Sequence, residues 1–473
     1  MRLVSRNPDM RADTIKSHDK LRLKGHVIPY TELSEDDRNR MDGTPGAGYT
    51  IPWRTVYKES SISTPCHLVF DASSRTPGGD SLNNVLAKGQ NKLARIMNIL
   101  IRFRTKPSAM TADVSMAYNG VKLQPEHYKY QRYLWREELS MSNPVITMIV
   151  RTLIYGVRPS GNLTMAAFIK LSDYCTEHHP EHARGAAVLS HDAYMDDIIH
   201  AEDSPDECRS VAESLDFTLN LGSMSVKAYT FSGTEPSELV SSDGIHVGLV
   251  GLLWDSAEDM ISLDIKDLYL GKPRRGKLPE LVTGDVGTAL KNKFTRRTVV
   301  GKVAGVFDPV GLVTPITSRF KLNLHDLCRL NLDWDDQIPD SYLECWVKNL
   351  SDIQGLREVR FRRSVIPPDA VNTDVQLITS VDASEKIGIA VVHSRVLLKS
   401  GNYHTQLVCA KSKLVSMSTV PRAELKAATM GAVLNHTAKL NFGSQYTKSI
   451  FVTDSTVVLY WINQDQRPLQ TAV

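Results

Sequence analysis

The chain has 473 residues, 42% hydrophobic and 23% charged, a balance that excludes wholesale disorder and leaves room for roughly two to four domains with real cores. Its formal net charge of +3 neither requires nor forbids a nucleic-acid partner, because clustering rather than the sum decides such binding. Six scattered cysteines with no Cys-x-x-Cys pair exclude a zinc knuckle or disulfide framework and fit a reducing compartment, while no apolar run reaches membrane-span length and Met1 to Lys20 lack a signal-peptide core.

Residues 1–60 are polar and rich in turn formers, with a loop at Asp42-Gly43-Thr44-Pro45-Gly46-Ala47-Gly48, and read as a lead-in segment. Over 61–260, short β-rich runs such as His67-Leu68-Val69-Phe70 alternate with helical patterns such as Leu93 to Arg104, so a mixed α+β domain is expected. Basic residues cluster at Arg95, Arg102, Arg104 and Lys106, and again at Lys291, Lys293, Arg296 and Arg297. Each cluster suits either a phosphate-holding surface or a solvated helix face.

Ala109 to Val114 reads as a strand carrying Asp113 near its end, followed by a helical Ser115-Met116-Ala117-Tyr118. Further on, Ala187-Val188-Leu189 and Ile198-Ile199 read as strands flanking Tyr194-Met195-Asp196-Asp197. In a continuous strand neighbouring aspartates point to opposite faces. At a hairpin turn both can approach one pair of divalent ions, an arrangement that activates an attacking hydroxyl and steadies leaving phosphate oxygens. If the Asp113 strand pairs beside that hairpin, three carboxylates can bridge two magnesium ions about 3.5 to 4 Å apart. Tyr118, about one helical turn beyond Asp113, could lie under the sugar of an incoming nucleotide and exclude a 2′-hydroxyl; taken alone it suits an ordinary core position better.

From 261 to 370, basic helical segments are broken by Pro309, Pro315, Pro339 and the pair Pro367-Pro368, which reads as a linker. Beyond it, Val375 to Val381 and Gly388-Ile389-Ala390-Val391-Val392 open a new strand-rich unit.

The ordered blocks Val69-Phe70-Asp71-Ala72-Ser73, Ser81-Leu82-Asn83, Arg102-Phe103-Arg104, Thr111-Ala112-Asp113, Gln131 to Arg136, Tyr155-Gly156-Val157-Arg158-Pro159-Ser160, Tyr194-Met195-Asp196-Asp197 and Leu249 to Trp254 together resemble the reverse transcriptase of Pao/BEL long-terminal-repeat retrotransposons, over essentially the whole chain. The resemblance implies a multidomain α+β and α/β chain. After the lead-in come the fingers and palm of a right-hand polymerase over 61–260, a thumb/connection over 261–370, and a truncated ribonuclease H-like domain over 371–473. It implies an RNA-directed DNA polymerase that takes an RNA or DNA template-primer and deoxynucleoside triphosphates, with two magnesium ions on Asp113, Asp196 and Asp197. Tyr118 would be the sugar gate, Tyr155-Gly156 the aromatic-glycine pair where the nucleotide approaches, Lys227 the lysine near the departing pyrophosphate, and Leu249 to Trp254 the primer-gripping hairpin. His67 stands where the family has a triphosphate-binding arginine, and Ser115, Met116 and Ala117 replace its charged residues after the first aspartate.

Phe307 to Pro315 resembles a family stretch often labelled a peptidase. No Asp-Thr/Ser-Gly tripeptide occurs in the chain, so Asp308 before Pro309 reads as a helix cap or turn, and peptidase activity is not expected. Asp382, Glu424 and Asp454, in strand, helix and strand contexts, resemble the ribonuclease H acids that bind two magnesium ions and direct water at an RNA phosphodiester. The chain ends at Val473, before the further helix, strand and fourth acid the resemblance implies, so ribonuclease activity is expected to be weak or absent. The alternative to a polymerase is an inactive remnant that binds nucleic acid. An intracellular, cytoplasmic location is expected, in a virus-like particle or the nucleus as variants of it, with no membrane partner.

Overall fold

The structure, a computed structural model, describes residues 8–57, 66–265, 269–270, 280–281, 295–415 and 419–463. It begins with helix α1 (Pro8–Leu23), strand β1 (Val27–Pro29), helix α2 (Glu35–Gly43) and the antiparallel hairpin β2 (Trp53–Tyr57) and β3 (Cys66–Phe70). Helices α3 (Leu82–Val85) and α4 (Ile96–Phe103) lead to β4 (Ser108–Val114), β5 (Arg132–Trp135) and β6 (Ile146–Val150). Then come α5 (Ser160–His178), α6 (Ala183–His191), β7 (Ala193–Tyr194), β8 (Asp197–Glu202), α7 (Pro205–Leu221) and β9 (Val226–Phe231).

The segment read as a lead-in is part of the folded body. β1 pairs with β6, Val27 opposite Val150, in a sheet of order β1-β6-β5. The His18 ring of α1 stacks on Trp135 at 3.7 Å, and its Nε2 lies 2.9 Å from the Tyr133 hydroxyl. Burial lowers the His18 pKa to about 4, so the ring is neutral at pH 7. Val27 and Ile51 are fully buried with Tyr133 and Trp135. These apolar residues are too sparse along a polar stretch to announce a core, because each is buried by partners roughly a hundred positions away.

The central sheet has order β7-β8-β4-β9, all antiparallel. Its core joins Met110 and Ala112 to Phe168, Leu189 and Leu215 from the three covering helices. Ala187-Val188-Leu189 lies inside α6, not in a strand. Buried Gly185, Ala186, Val188 and Leu189 recur at helical spacing, and Gly185 has no Cβ to collide with the α7 backbone at Ser214 and Leu215.

The chain continues through β10 (His246–Leu249), β11 (Leu252–Asp255), β12 (Met260–Leu263), the pair β13 (Tyr269–Leu270) and β14 (Glu280–Leu281), helices α8 (Arg296–Ala304), α9 (Thr314–Cys328) and α10 (Asp340–Gly355), and β15 (Phe361–Arg362), which adds to β12. The last unit is β16 (Val375–Ala383), β17 (Ile387–Leu397), β18 (Tyr403–Leu414), α11 (Val420–Phe442), β19 (Tyr446–Val452) and α12 (Thr456–Ile462). Its sheet order is β18-β17-β16-β19, with β16 and β19 parallel.

Pro367-Pro368 does not separate two cores. One hydrophobic cluster runs from Ile99 and Phe103 through Leu249 and Trp254 to Val375, Val392 and Leu434. Buried Arg104 donates to the Arg363, Val408 and Leu407 carbonyls at 3.1, 2.8 and 2.9 Å. Arg102 binds Asp192 and Asn441, and Lys106 binds Glu202. Three of the four residues in the first basic cluster are therefore internal ties rather than a phosphate-holding surface. A buried guanidinium needs its five donors answered, and carbonyls some 300 residues on supply the partners. In the second cluster Arg296 donates to the Leu332 carbonyl and Arg297 pairs with Asp335, while Lys291 and Lys293 lie outside the described residues.

A titratable network braces the same junction. His200 Nδ1 lies 2.7 Å from Asp192 and its Nε2 lies 3.1 Å from Glu202. Burial opposes the His200 charge, but the two carboxylates outweigh it and raise the pKa above 6.5. Burial likewise opposes the charges of Asp192 and Glu202, yet the bonds from His200, with Arg102 and Lys106 respectively, hold both below their ordinary values. Stability from the raised imidazole is fully present below about pH 6.5 and is lost as pH rises through the folded value. Stability from the lowered carboxylates is present above about pH 4.5 and is lost as pH falls through theirs. The stabilisation from this network is greatest at about pH 5 to 6, and His200→Asn is expected to lessen the decline above that range in thermal scans across pH.

Candidate catalytic site

β4 and β8 run antiparallel with Asp113 directly opposite Asp197, so the two side chains share one face at neighbouring positions. Tyr194 of β7 also pairs with Asp197, and Met195 between them takes a left-handed φ of 60°. That conformation costs a non-glycine residue roughly 1–2 kcal/mol, and it breaks the strand alternation that would send Asp196 and Asp197 apart. The Asp196 carbonyl accepts from the Val114 amide at 2.9 Å, which locks the turn to the end of β4.

The three carboxylates have different partners. Asp113 Oδ2 faces Lys227 Nζ of β9 at 3.4 Å, and Asp196 Oδ2 accepts from the Tyr155 hydroxyl at 2.9 Å. Burial, then the charges of Asp196 and Asp113, push the Asp197 pKa up to about 7. Burial also raises Asp113, against the pull of Lys227. A set of hard oxygen donors whose negative charge is held at a cost fits divalent magnesium, and no soft ligand competes. Among the described residues, the acids whose ligand atoms all fall within 4.8 Å of one another are Glu202, Asp203 and Glu207, not these three. Lys106, Arg184 and His200 already answer Glu202, so that group braces the fold.

Asp113, Asp197 and Lys227 line a cavity of about 510 Å³ together with Val247 to Leu252, the β10–β11 hairpin. The other expected residues stand off this wall. Tyr118 is buried, its ring 4.1 Å from the half-exposed Tyr155. The helix expected over Ser115 to Tyr118 starts only at Ala117, as a 3-10 turn, because Met116 is left-handed with φ 52°. His67 is exposed on β3 opposite Val56.

Gly156 has φ 93°, and a Cβ there would run into the Phe70 carbonyl oxygen at the end of β3. Asn83 fastens this bend: its Nδ2 donates to the Gly156 carbonyl and to Ser73 Oγ, both at 2.8 Å, and its Oδ1 accepts from the Arg158 amide at 2.8 Å. Sequence reading noted Asn83 only as part of a motif, and its position between two other motifs was the available signal. Gly156→Ala is expected to destabilise the protein by about 1–3 kcal/mol, read as a lowered urea midpoint.

In the last unit Asp382 and Asp454 each lie two residues beyond the parallel pair Ser380 and Val452 of β16 and β19. Glu424 on α11 accepts from the hydroxyl of Ser455, the neighbour of Asp454, at 2.5 Å. The three acids thus gather at one end of the sheet. Asp308 behaves as a turn residue: its carboxylate accepts from the Leu312 and Val313 amides at 2.8 and 2.9 Å.

Residues 295–455 match a family described as the Pao retrotransposon-like RNaseH-like domain. The match starts well before Pro367-Pro368, in keeping with the continuous packing across that point. Comparison with curated proteins gives no match. Among solved structures, the chain is similar to the foamy viral protease-reverse transcriptase dRH in complex with double-stranded DNA, at 13% identity and TM-score 0.52, covering 92% of this chain and 61% of that one. It is also similar to the foamy viral protease-reverse transcriptase in complex with an RNA/DNA hybrid, at 13% identity and TM-score 0.51, covering 96% of this chain and 52% of that one. The chain thus spans between half and two thirds of those chains. The fold is that of a right-hand polymerase followed by a ribonuclease H-like domain. Among the described residues, no helix is long and apolar enough to cross a membrane.

Proposed function

We propose that the chain is the RNA-directed DNA polymerase of a Pao/BEL-type retrotransposon, extending a primer on an RNA or DNA template from deoxynucleoside triphosphates. The observation that supports this most is Asp113 opposite Asp197, with Asp196 in the left-handed turn beside them. Two magnesium ions held by these three carboxylates would activate the primer 3′-hydroxyl and stabilise charge on the departing phosphate oxygens. Tyr155 orients Asp196 through its hydroxyl, and Lys227 balances Asp113 until it turns to the leaving pyrophosphate. Gly156 keeps the backbone open beside the nucleotide, and His67 on the neighbouring hairpin assists with the triphosphate. The β10–β11 hairpin holds the primer end against the cavity.

Tyr118 closes the space under the sugar. Tyr118→Ala is expected to raise incorporation of ribonucleotides relative to deoxynucleotides by about tenfold or more, measured in single-nucleotide extension. An unchanged ratio removes the gate assignment. Residues 61–260 would form fingers and palm, with 8–57 built into the fingers, and 261–370 the thumb and connection. Asp382, Glu424 and Asp454 would form a second magnesium site, of ribonuclease H type. The setting would be intracellular.

A further inference from the structure

A second cavity, of about 1010 Å³, lies beside the segment that follows Asp113. Ser115 and Ser225 form part of its wall, joined by a backbone hydrogen bond of 2.9 Å, and neither Asp113 nor Lys227 reaches it. Four basic side chains line it, Lys24, Lys122, Arg151 and Lys170, together with His26. No aspartate or glutamate lines it among the described residues.

Several other basic residues of the fold serve as internal ties. Arg102, Arg104, Lys106, Arg296, Arg297 and Arg363 are all answered by carboxylates or carbonyls. Among the described residues, none of the four around the cavity forms an ion pair. The hollow thus carries four cationic side chains that no carboxylate among the described residues neutralises, and their summed field favours an anion there. His26 registers that field: burial, then Lys24 and Lys122, lower its pKa, so at neutral pH it offers a hydrogen bond without further charge. At the rim, Tyr174 is half exposed and stacked on His178 at 4.3 Å. A fixed ring beside a basic groove is the pairing on which single-stranded nucleic acids stack their bases.

We infer that this hollow binds the phosphates of a nucleotide, presented by a single nucleic-acid strand or by a free nucleoside triphosphate, with Lys24, Lys122, Arg151 and Lys170 meeting the oxyanions and Tyr174 a base. The site goes beyond the proposed polymerase centre, shares none of its carboxylates, and holds or fails independently of it.

The test uses the full chain without magnesium, with fluorescence anisotropy of a labelled deoxythymidine oligomer followed across a salt titration. Lys122→Gln combined with Lys170→Gln should weaken binding about tenfold and flatten the salt slope by about 1.4, the share of two phosphate contacts on a single strand. Both lysines are exposed, so folding is not at stake, and matched melting curves verify it. Lys399→Gln with Lys448→Gln removes the same charge from the C-terminal unit and should leave the slope unchanged. Inorganic triphosphate and ATP, titrated calorimetrically, separate the sources: weakened oligomer binding marks a strand site, and weakened triphosphate binding alone marks a free-nucleotide site. Tyr174→Ala should weaken the oligomer and spare inorganic triphosphate. If the Lys122/Lys170 variant matches the Lys399/Lys448 variant for every probe, the inference is overturned.

Discussion

Asp113→Asn is expected to cut primer extension by about a hundredfold or more, a loss comparable to removing one preorganised electrostatic group from an active site, while template binding and melting temperature stay near wild type. Asparagine keeps the shape of the side chain at the end of β4 and removes only its charge. Two neighbours feel the change in opposite directions. Lys227 loses the carboxylate it faces at 3.4 Å, and Asp197 loses one of the two negative charges that, after burial, push its pKa up to about 7. The stability terms therefore offset each other, whereas the loss of a carboxylate proposed to hold magnesium has no compensation. Single-turnover nucleotide incorporation at saturating magnesium measures the effect, with thermal melting as the control on folding. Retention of a tenth or more of wild-type extension would remove Asp113 from the metal site.

The second large effect concerns the tie between the α4–β4 connection and the β11–β12 turn. Arg363→Met is expected to lower stability by about 3–5 kcal/mol, the range for breaking a buried ion pair from one side. Arg363 is fully buried and donates to the Phe103, Lys106 and Pro107 carbonyls at 2.5, 2.9 and 2.6 Å, besides a two-pronged pairing with Asp259. Methionine fills much of the volume but leaves Asp259 charged and three carbonyls without a donor. Urea unfolding followed by tryptophan fluorescence reads the change, since Trp254 donates to the same Asp259 at 3.0 Å. A shift below about 1 kcal/mol, the scale of an exposed pair, would mean that the network contributes little.

The placement of Asp113 opposite Asp197 was legible in the sequence because it depends on local rules. A strand ending near Asp113, a turn at Met195 and a strand from Asp197 each carry their own signal, and antiparallel pairing then puts Asp113 opposite Asp197. The elements misread are those whose signal is not local. Ala187 to Leu189 is too short an apolar run to separate helix from strand, and the helical spacing emerges only when Gly185 and Ala186 are counted with the buried face. Arg102, Arg104 and Lys106 look like a surface cluster until Asp192, Glu202 and the carbonyls of 363, 407 and 408 close around them. The same holds for residues 8–57, whose few apolar side chains find their partners in β5 and β6. Asn83 illustrates the remaining gap: its role is set by which three loops meet, something no single motif contains.

The central claim is that Asp113, Asp196 and Asp197 support metal-dependent nucleotidyl transfer on an RNA template. The most direct test is extension of a DNA primer annealed to RNA by the purified chain, with magnesium and with the metal chelated, beside Asp196→Asn. The expected result is extension by the wild type that stops on chelation, and a variant that still binds template-primer but does not extend it. No extension by a folded wild type that binds template-primer would contradict it and leave a nucleic-acid-binding remnant.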